Sequence, residues 1–230
     1  MNELQINCNS AIYKRNHPAL PINYQQNINH TSKLALWEIK EPASFFLEKL
    51  PIHQPISHPH KLLQHLAGRY LLQFLFPNFP TDLIEIADTR KPFLRNEQFH
   101  FSISHCGNFA AAIVSANNRV GVDIELITPR VDKIKHKFLH PAELIDWKID
   151  QLSDKKRIET LTLLWSCKEA MFKWWGRGDV DFSEVMRIDA SDISSKGILK
   201  ARFRKNEFDQ ELKLDYQLIN DLSLVWVISE

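Results

Sequence analysis

The sequence predicts an α+β fold with helices packed on antiparallel sheets, and three features of the chain carry that reading. Apolar residues recur at helical spacing in two long stretches, the centre switches to strict alternation, and the tail holds four strand-like runs joined by short connections. Connections that short join antiparallel neighbours, because a parallel crossover needs about a dozen residues or more.

Taken in order, KLALWEI (33–39) reads as a short strand through Leu34, Leu36 and Trp37. Helical spacing follows in ASFFLEKL (43–50), then in HKLLQHLAGRYLLQFLF (60–76), where Leu62, Leu63, Leu66, Tyr70 and Phe74 keep a helical period. Pro77 and Pro80 stop that helix. In FHFSISH (99–105), Phe99, Phe101 and Ile103 alternate with polar residues, as a half-buried strand requires. AAAIVS (110–115) and RVGVDIEL (119–126) are the next two strands, with Asn117-Asn118 as the turn between them. A helix is predicted over 156–176, closed by Gly176 and Gly178. The tail strands are EVMRIDA (184–190), ILKARFR (198–204), ELKLDYQL (211–218) and LSLVWVIS (222–229), read as a largely antiparallel meander.

Bulk properties narrow the function. A chain of 230 residues with 44% hydrophobic and 25% charged side chains is ordinary globular composition. Its formal charge of +1 gives no reason to expect nucleic acid or an anionic membrane as the main partner. The opening MNELQINCNSAIYKRNHPALP lacks an apolar signal core, and no window approaches the ~18 apolar residues of a membrane span. Cys8, Cys106 and Cys167 are too scattered for a disulfide framework or a zinc site, so a reducing, cytoplasmic setting is expected.

Three segments carry chemistry. In Val120-Gly121-Val122-Asp123-Ile124-Glu125 the apolar residues share one strand face, and Gly121, Asp123 and Glu125 share the other. Two carboxylates so placed repel each other unless a cation intervenes, and a hard divalent metal with oxygen ligands suits them. Gly121 would leave room for a ligand; the same spacing also suits a plain polar outer face. On the helix over 156–176 Trp165, Glu169 and Lys173 are each four residues apart and lie on one face. They read either as a functional charged stripe on a buried helix or as core plus a surface ion pair. Arg90-Lys91-Pro92, with Ser104 and His105 at a strand end, suits phosphate binding, although basic turns are common.

In this order and at these separations, the segments resemble the 4′-phosphopantetheinyl transferase superfamily, in its larger, monomeric Sfp-type branch. The matching motifs are RKP (90–92), SISH (102–105), GVDIE (121–125) and WSCKEAMFKWWGRG (165–178), with 44 residues between Glu125 and Glu169. The resemblance covers roughly residues 60–180. It implies two similar α/β halves related by a pseudo-twofold axis, divided as 1–115 and 116–230, the first with nucleotide contacts and the second with the metal site. It implies transfer of the phosphopantetheine arm of coenzyme A to a serine of an apo acyl or peptidyl carrier protein, with release of 3′,5′-ADP. Asp123, Glu125 and Glu169 would hold Mg2+, or Mn2+ in its place, against the pyrophosphate, with Lys168 and Lys173 nearby and Glu169 as base. Arg69 would meet the nucleotide end, and Lys91 with His105 the adenosine 3′-phosphate. Arg90 departs from the family, which often has glycine there; Cys106 stands where serine is common. Two competing readings use the same residues: a metal-dependent phosphohydrolase, and an inactive coenzyme A- or carrier-binding module.

Overall fold

In the computed structural model, which describes residues 22–50 and 56–229, the secondary structure follows the apolar periodicities of the chain. Cys8 and the opening stretch read for a signal core lie outside the described residues. The elements are β1 (Ile22–Asn27), β2 (Ser32–Glu38), α1 (Ala43–Leu47), α2 (Pro59–Leu75), β3 (Ile84–Ile86), β4 (Pro92–Leu94), β5 (His100–Cys106), β6 (Phe109–Ser115) and β7 (Arg119–Leu126). Then come α3 (Arg130–Ile134), α4 (Pro141–Asp146), α5 (Asp154–Trp175), α6 (Phe182–Val185), β8 (Met186–Ile188), β9 (Lys196–Lys205), β10 (Phe208–Ile219) and β11 (Leu222–Ser229). All pairings are antiparallel, in sheets ordered β1-β2-β6-β5 and β7-β11-β10-β9-β8, with β3-β4 as a separate pair.

Period-2 alternation divides each central strand between two cores. On β2, Ala35 and Trp37 pack under α2, while Leu34 and Leu36 turn to the other sheet. On β11, Val225 and Val227 pack under α5, and Leu222, Leu224 and Trp226 meet the first sheet. Val120, Val122 and Ile124 of β7 complete that middle core. Each such aliphatic side chain, fully buried, contributes about 1.5–3 kcal/mol. Two halves of like build result, each a long helix on an antiparallel sheet, with the sheets packed together between the helices.

Helix boundaries follow local chemistry. Pro59 sits in the first turn of α2, where its missing N–H is not needed, and Pro77 follows its last turn. α5 ends at Gly176, whose φ of 68° is the left-handed cap that glycine tolerates.

Two expectations change. Asn117-Asn118 does join β6 to β7, but those strands belong to different sheets, so the link is a crossover and not a hairpin. Ser115 turns the chain there, its Oγ accepting from the N–H of Asn117 (3.3 Å) and of Asn118 (3.0 Å). The predicted strand over 184–190 shrinks to β8, because Asp181 caps the short α6 by accepting from Ser183 N–H at 2.9 Å.

Gly121 also serves a different purpose from the one expected. The space above it is filled by α5, not left for a ligand: an added Cβ would lie 2.1 Å from the Ala170 carbonyl oxygen and 2.7 Å from Trp174 N. Backbone of a central strand and backbone of a core helix meet there, so neither yields easily. Gly121→Ala should destabilise the fold by about 1–3 kcal/mol or more, read as a lowered urea midpoint. An unchanged midpoint would mean that α5 is free to lift from β7.

Candidate active site at the junction of the two sheets

Two strands that share no backbone pairing build the site. On β5, Phe101 and Ile103 face the core under α2, and the residues between them face β7. Ser102 Oγ accepts from Val122 N–H (3.1 Å), Ser104 Oγ from Ile124 N–H (3.2 Å), and Cys106 Sγ from Leu126 N–H (3.3 Å). These side chains satisfy donors on the free edge of β7 that no strand reaches. The cysteine thus does the accepting that a serine hydroxyl would do.

The acidic face of β7 is covered, not an outer surface. Asp123 is 2% exposed, and its Oδ1 accepts from Ser104 Oγ at 2.9 Å and from Lys173 Nζ at 2.7 Å. Lys173 also donates to Ser104 Oγ at 2.8 Å, so it bridges across to β7 and does not form a surface pair with Glu169. The second Asp123 oxygen, Oδ2, is buried without a partner. Glu125 accepts from Trp165 Nε1 at 3.1 Å and from Cys106 Sγ at 3.4 Å. Burial, and then the nearby Asp123, push the Glu125 carboxyl up. The same causes in the same order raise Glu169 to about 7, with Lys173 opposing and Glu125 adding to the rise.

These observations fit a divalent cation by charge and donor type. Three mutually opposed carboxylates meet one lysine, and a buried carboxylate oxygen lacks any donor. Among the described residues no three such groups are already gathered at metal-binding spacing. Asp123 is turned to Lys173 and Glu125 to Trp165, so binding a cation would draw them from those partners.

A cleft of about 260 Å³ opens beside Glu169, lined by Arg90, Lys91, Pro92, Phe172 and Lys173 among others, while Glu125 lines a separate cavity with Cys106 and Trp165. Arg90 occupies a left-handed backbone position, φ 64°, and two bonds keep the turn intact: Arg90 N–H to Ala87 O (2.8 Å) and Ala87 N–H to Lys91 O (2.9 Å). Such a position favours glycine, which gives a backbone reason for the family's preference there.

One sequence expectation is corrected. Lys168 does not reach the cleft: it is fully buried and donates to Glu143 Oε2 (2.8 Å), Met186 O (2.7 Å) and Phe182 O (3.3 Å). Its three protons are used, so it anchors α5 instead of meeting a phosphate. Glu143 is satisfied in turn by His140 N–H and Ile188 N–H, at 3.0 and 2.9 Å. Lys91 packs on Gly176 and lines the cleft with Phe101, Ser102 and Ile103. His105 is exposed near the end of β5. Near His105 lies Arg69, half-buried, its guanidinium 3.0 Å from His65 Nδ1; burial first, then Arg69, lowers His65 to about 4.

Sequence reasoning missed Ser102, Cys106 and Glu143, and read Trp165 only as core or as a member of the stripe. The first two were legible: Ser102, Ser104 and Cys106 alternate on one strand face. Glu143 carried no signal, since its partner is set by a tertiary contact.

Comparison with known proteins bears on the same residues. The sequence model of the 4′-phosphopantetheinyl transferase superfamily matches residues 119–225. The chain is 33% identical over 115 residues to 4′-phosphopantetheinyl transferase gsp of Aneurinibacillus migulanus, covering 49% of this chain and 46% of that protein. It is 30% identical over 179 residues to a Haemophilus influenzae protein named, provisionally, as a 4′-phosphopantetheinyl transferase, covering 67% and 72%. With 4′-phosphopantetheinyl transferase HetI of Nostoc it shares 29% identity over 87 residues, 37% and 36% of the two chains. The chain therefore spans under half the length of the Aneurinibacillus and Nostoc relatives.

The raised Glu169 carboxyl has a direct consequence for stability. Its folded value near 7 exceeds the unfolded value of 4.5, so the folded state holds the proton more tightly and loses stability as pH rises through that interval. Glu169→Gln should therefore melt near the wild type at pH 4.5 and above it at pH 8, by on the order of 1–3 kcal/mol, in metal-free buffer. A gap that is constant with pH would remove the raised carboxyl.

Proposed function

We propose that this chain, which belongs to the 4′-phosphopantetheinyl transferase superfamily, moves the 4′-phosphopantetheine arm of coenzyme A onto a serine of an apo acyl or peptidyl carrier protein. The observation that carries this reading is the joining, at one cleft, of a glutamate that titrates near neutrality with a buried aspartate bonded to a lysine. A general base must be ionised at the operating pH, and a cation held by these carboxylates would lower Glu169 from its metal-free value of about 7 so that it is.

In the proposed reaction the carrier serine oxygen attacks the β-phosphorus of coenzyme A. Its bond to that phosphorus forms as the bond to the departing phosphate oxygen breaks, and 3′,5′-ADP leaves. The serine proton passes to a Glu169 carboxylate oxygen. Asp123, Glu125 and Glu169 are the residues that would hold Mg2+, or Mn2+. When bound, the metal supplies positive charge to a diphosphate that gathers negative charge as the leaving group departs. Lys173, already placed between Asp123 and Ser104, adds a fixed cation at the same cleft. Trp165 and Cys106 orient Glu125. Arg90, Lys91 and Pro92 flank the cleft at one end of β5, and Arg69 and His105 lie at the other, where they would hold different parts of the coenzyme. On this reading residues 1–115 supply nucleotide contacts and 116–230 the carboxylates, in a monomer. Among the described residues no helix is long and apolar enough to cross a membrane.

Mass spectrometry of apo-carrier incubated with the protein, coenzyme A and Mg2+ should show the phosphopantetheine adduct, and a chelator should stop its appearance. Steady release of 3′,5′-ADP without any carrier would favour a phosphohydrolase instead. Glu169→Gln should abolish transfer while coenzyme A still binds measurably. Lys173→Ala should slow transfer at least about a hundredfold, the scale set by losing a preorganised charge; an unchanged rate would return that lysine to a purely structural role.

A further inference from the structure

We propose that Lys173 competes with the divalent cation for Asp123 and, tethered by Ser104, turns into the cleft when the ion binds. The inference rests on the metal site of the function proposed above and concerns what an ion must displace there.

Lys173 is bonded as a resident counter-ion. Its Nζ lies 2.7 Å from Asp123 Oδ1, the one ion pair that Asp123, Glu125 or Glu169 makes among the described residues. Its charge also acts on the other two carboxylates, opposing the rise at Glu125 and at Glu169. One ammonium thus serves three carboxylates, the task a divalent cation would take over. The buried Asp123 Oδ2, which has no partner, offers an ion a place on the same group. An ion there would lie within a few ångströms of the ammonium on Oδ1, and like charges that close repel strongly away from water.

The bonding also leaves Lys173 able to give way. Lys168, on the same helix, is fully buried with all three of its protons on acceptors. Lys173 keeps 24% of its side chain exposed and lines the cleft beside Glu169. Two of its protons go to Asp123 and Ser104, and the third has no acceptor among the described residues. Ser104, in contrast, is fixed. Its Oγ donates to Asp123 and accepts from Lys173 and from Ile124 N–H, which is the full capacity of a hydroxyl. No proton is left there for a phosphate. Ser104 is therefore a positioning residue, which keeps the ammonium at the cleft after Asp123 passes to the ion.

Mn2+ binding to the full chain, followed by electron paramagnetic resonance without coenzyme or carrier, tests the competition against Lys173→Met. That substitution keeps the length of the side chain and removes its charge. The variant should bind Mn2+ about tenfold more tightly or better, because a unit charge beside a divalent ion is gone. A lysine that merely supported the site would have the opposite effect, since its loss would loosen the carboxylates. Equal or weaker binding by the variant, with Mn2+ held by the wild type, would overturn the competition and leave the metal site standing. Failure of both proteins to bind Mn2+ would sink the metal site and this inference with it. Should Lys173→Met not fold, the wild type labelled with 15N at its lysine ammonium groups reports instead. Mg2+ should quicken proton exchange at Lys173 while leaving the buried Lys168 unchanged; an unaltered Lys173 would overturn the proposal.

Discussion

An aspartate at 2% exposure, bonded on one oxygen and unpartnered on the other, is the constraint around which this molecule is arranged. A buried carboxylate is tolerated only when its charge is met, and here Lys173 and Ser104 meet half of it. Those two partners come from a helix and from a strand of the opposite sheet, so one charge ties three elements together. Burial first, and then the Asp123 charge, raises the proton affinity of Glu125 and Glu169, and the unpartnered oxygen makes the cleft receptive to a cation.

The scaffold that permits this is laid down by residues with no chemistry of their own. Gly121 lets α5 approach β7 until backbone meets backbone, which brings the helix carboxylate and lysine over the strand carboxylates. Lys168 and Glu143 fix the rotation of α5 from below, joining it to the start of α4 and to β8. Neighbours in sequence, Lys168 and Glu169 thus divide their work, one buried as an anchor and the other turned to the cleft. On β5 the alternation of Ser102, Ser104 and Cys106 closes the seam between sheets without a single backbone pairing to β7. The seam leaves the carboxylate face of β7 in place while the strand edge stays satisfied.

Much of the fold was legible because it rests on periodicity. The long helices, the alternating β5 and the tail meander appear within a few residues of where apolar spacing puts them. The crossover after Ser115 was not legible, since a short polar turn reads the same whether its strands pair or part. Lys168 and Glu169 are equally polar on paper, and only the tertiary contact with Glu143 separates them. Local pattern specifies elements; which charge meets which is decided by the packing of distant ones.

The account turns on the negative charge left over at Asp123, and the most direct probe is side-chain carbonyl NMR of a Glu- and Asp-labelled sample titrated with and without Mg2+. The Glu169 carboxyl should titrate near 7 in metal-free buffer and fall toward the ordinary carboxylate range when Mg2+ is added. A midpoint near 4.5 that Mg2+ leaves unmoved would contradict it.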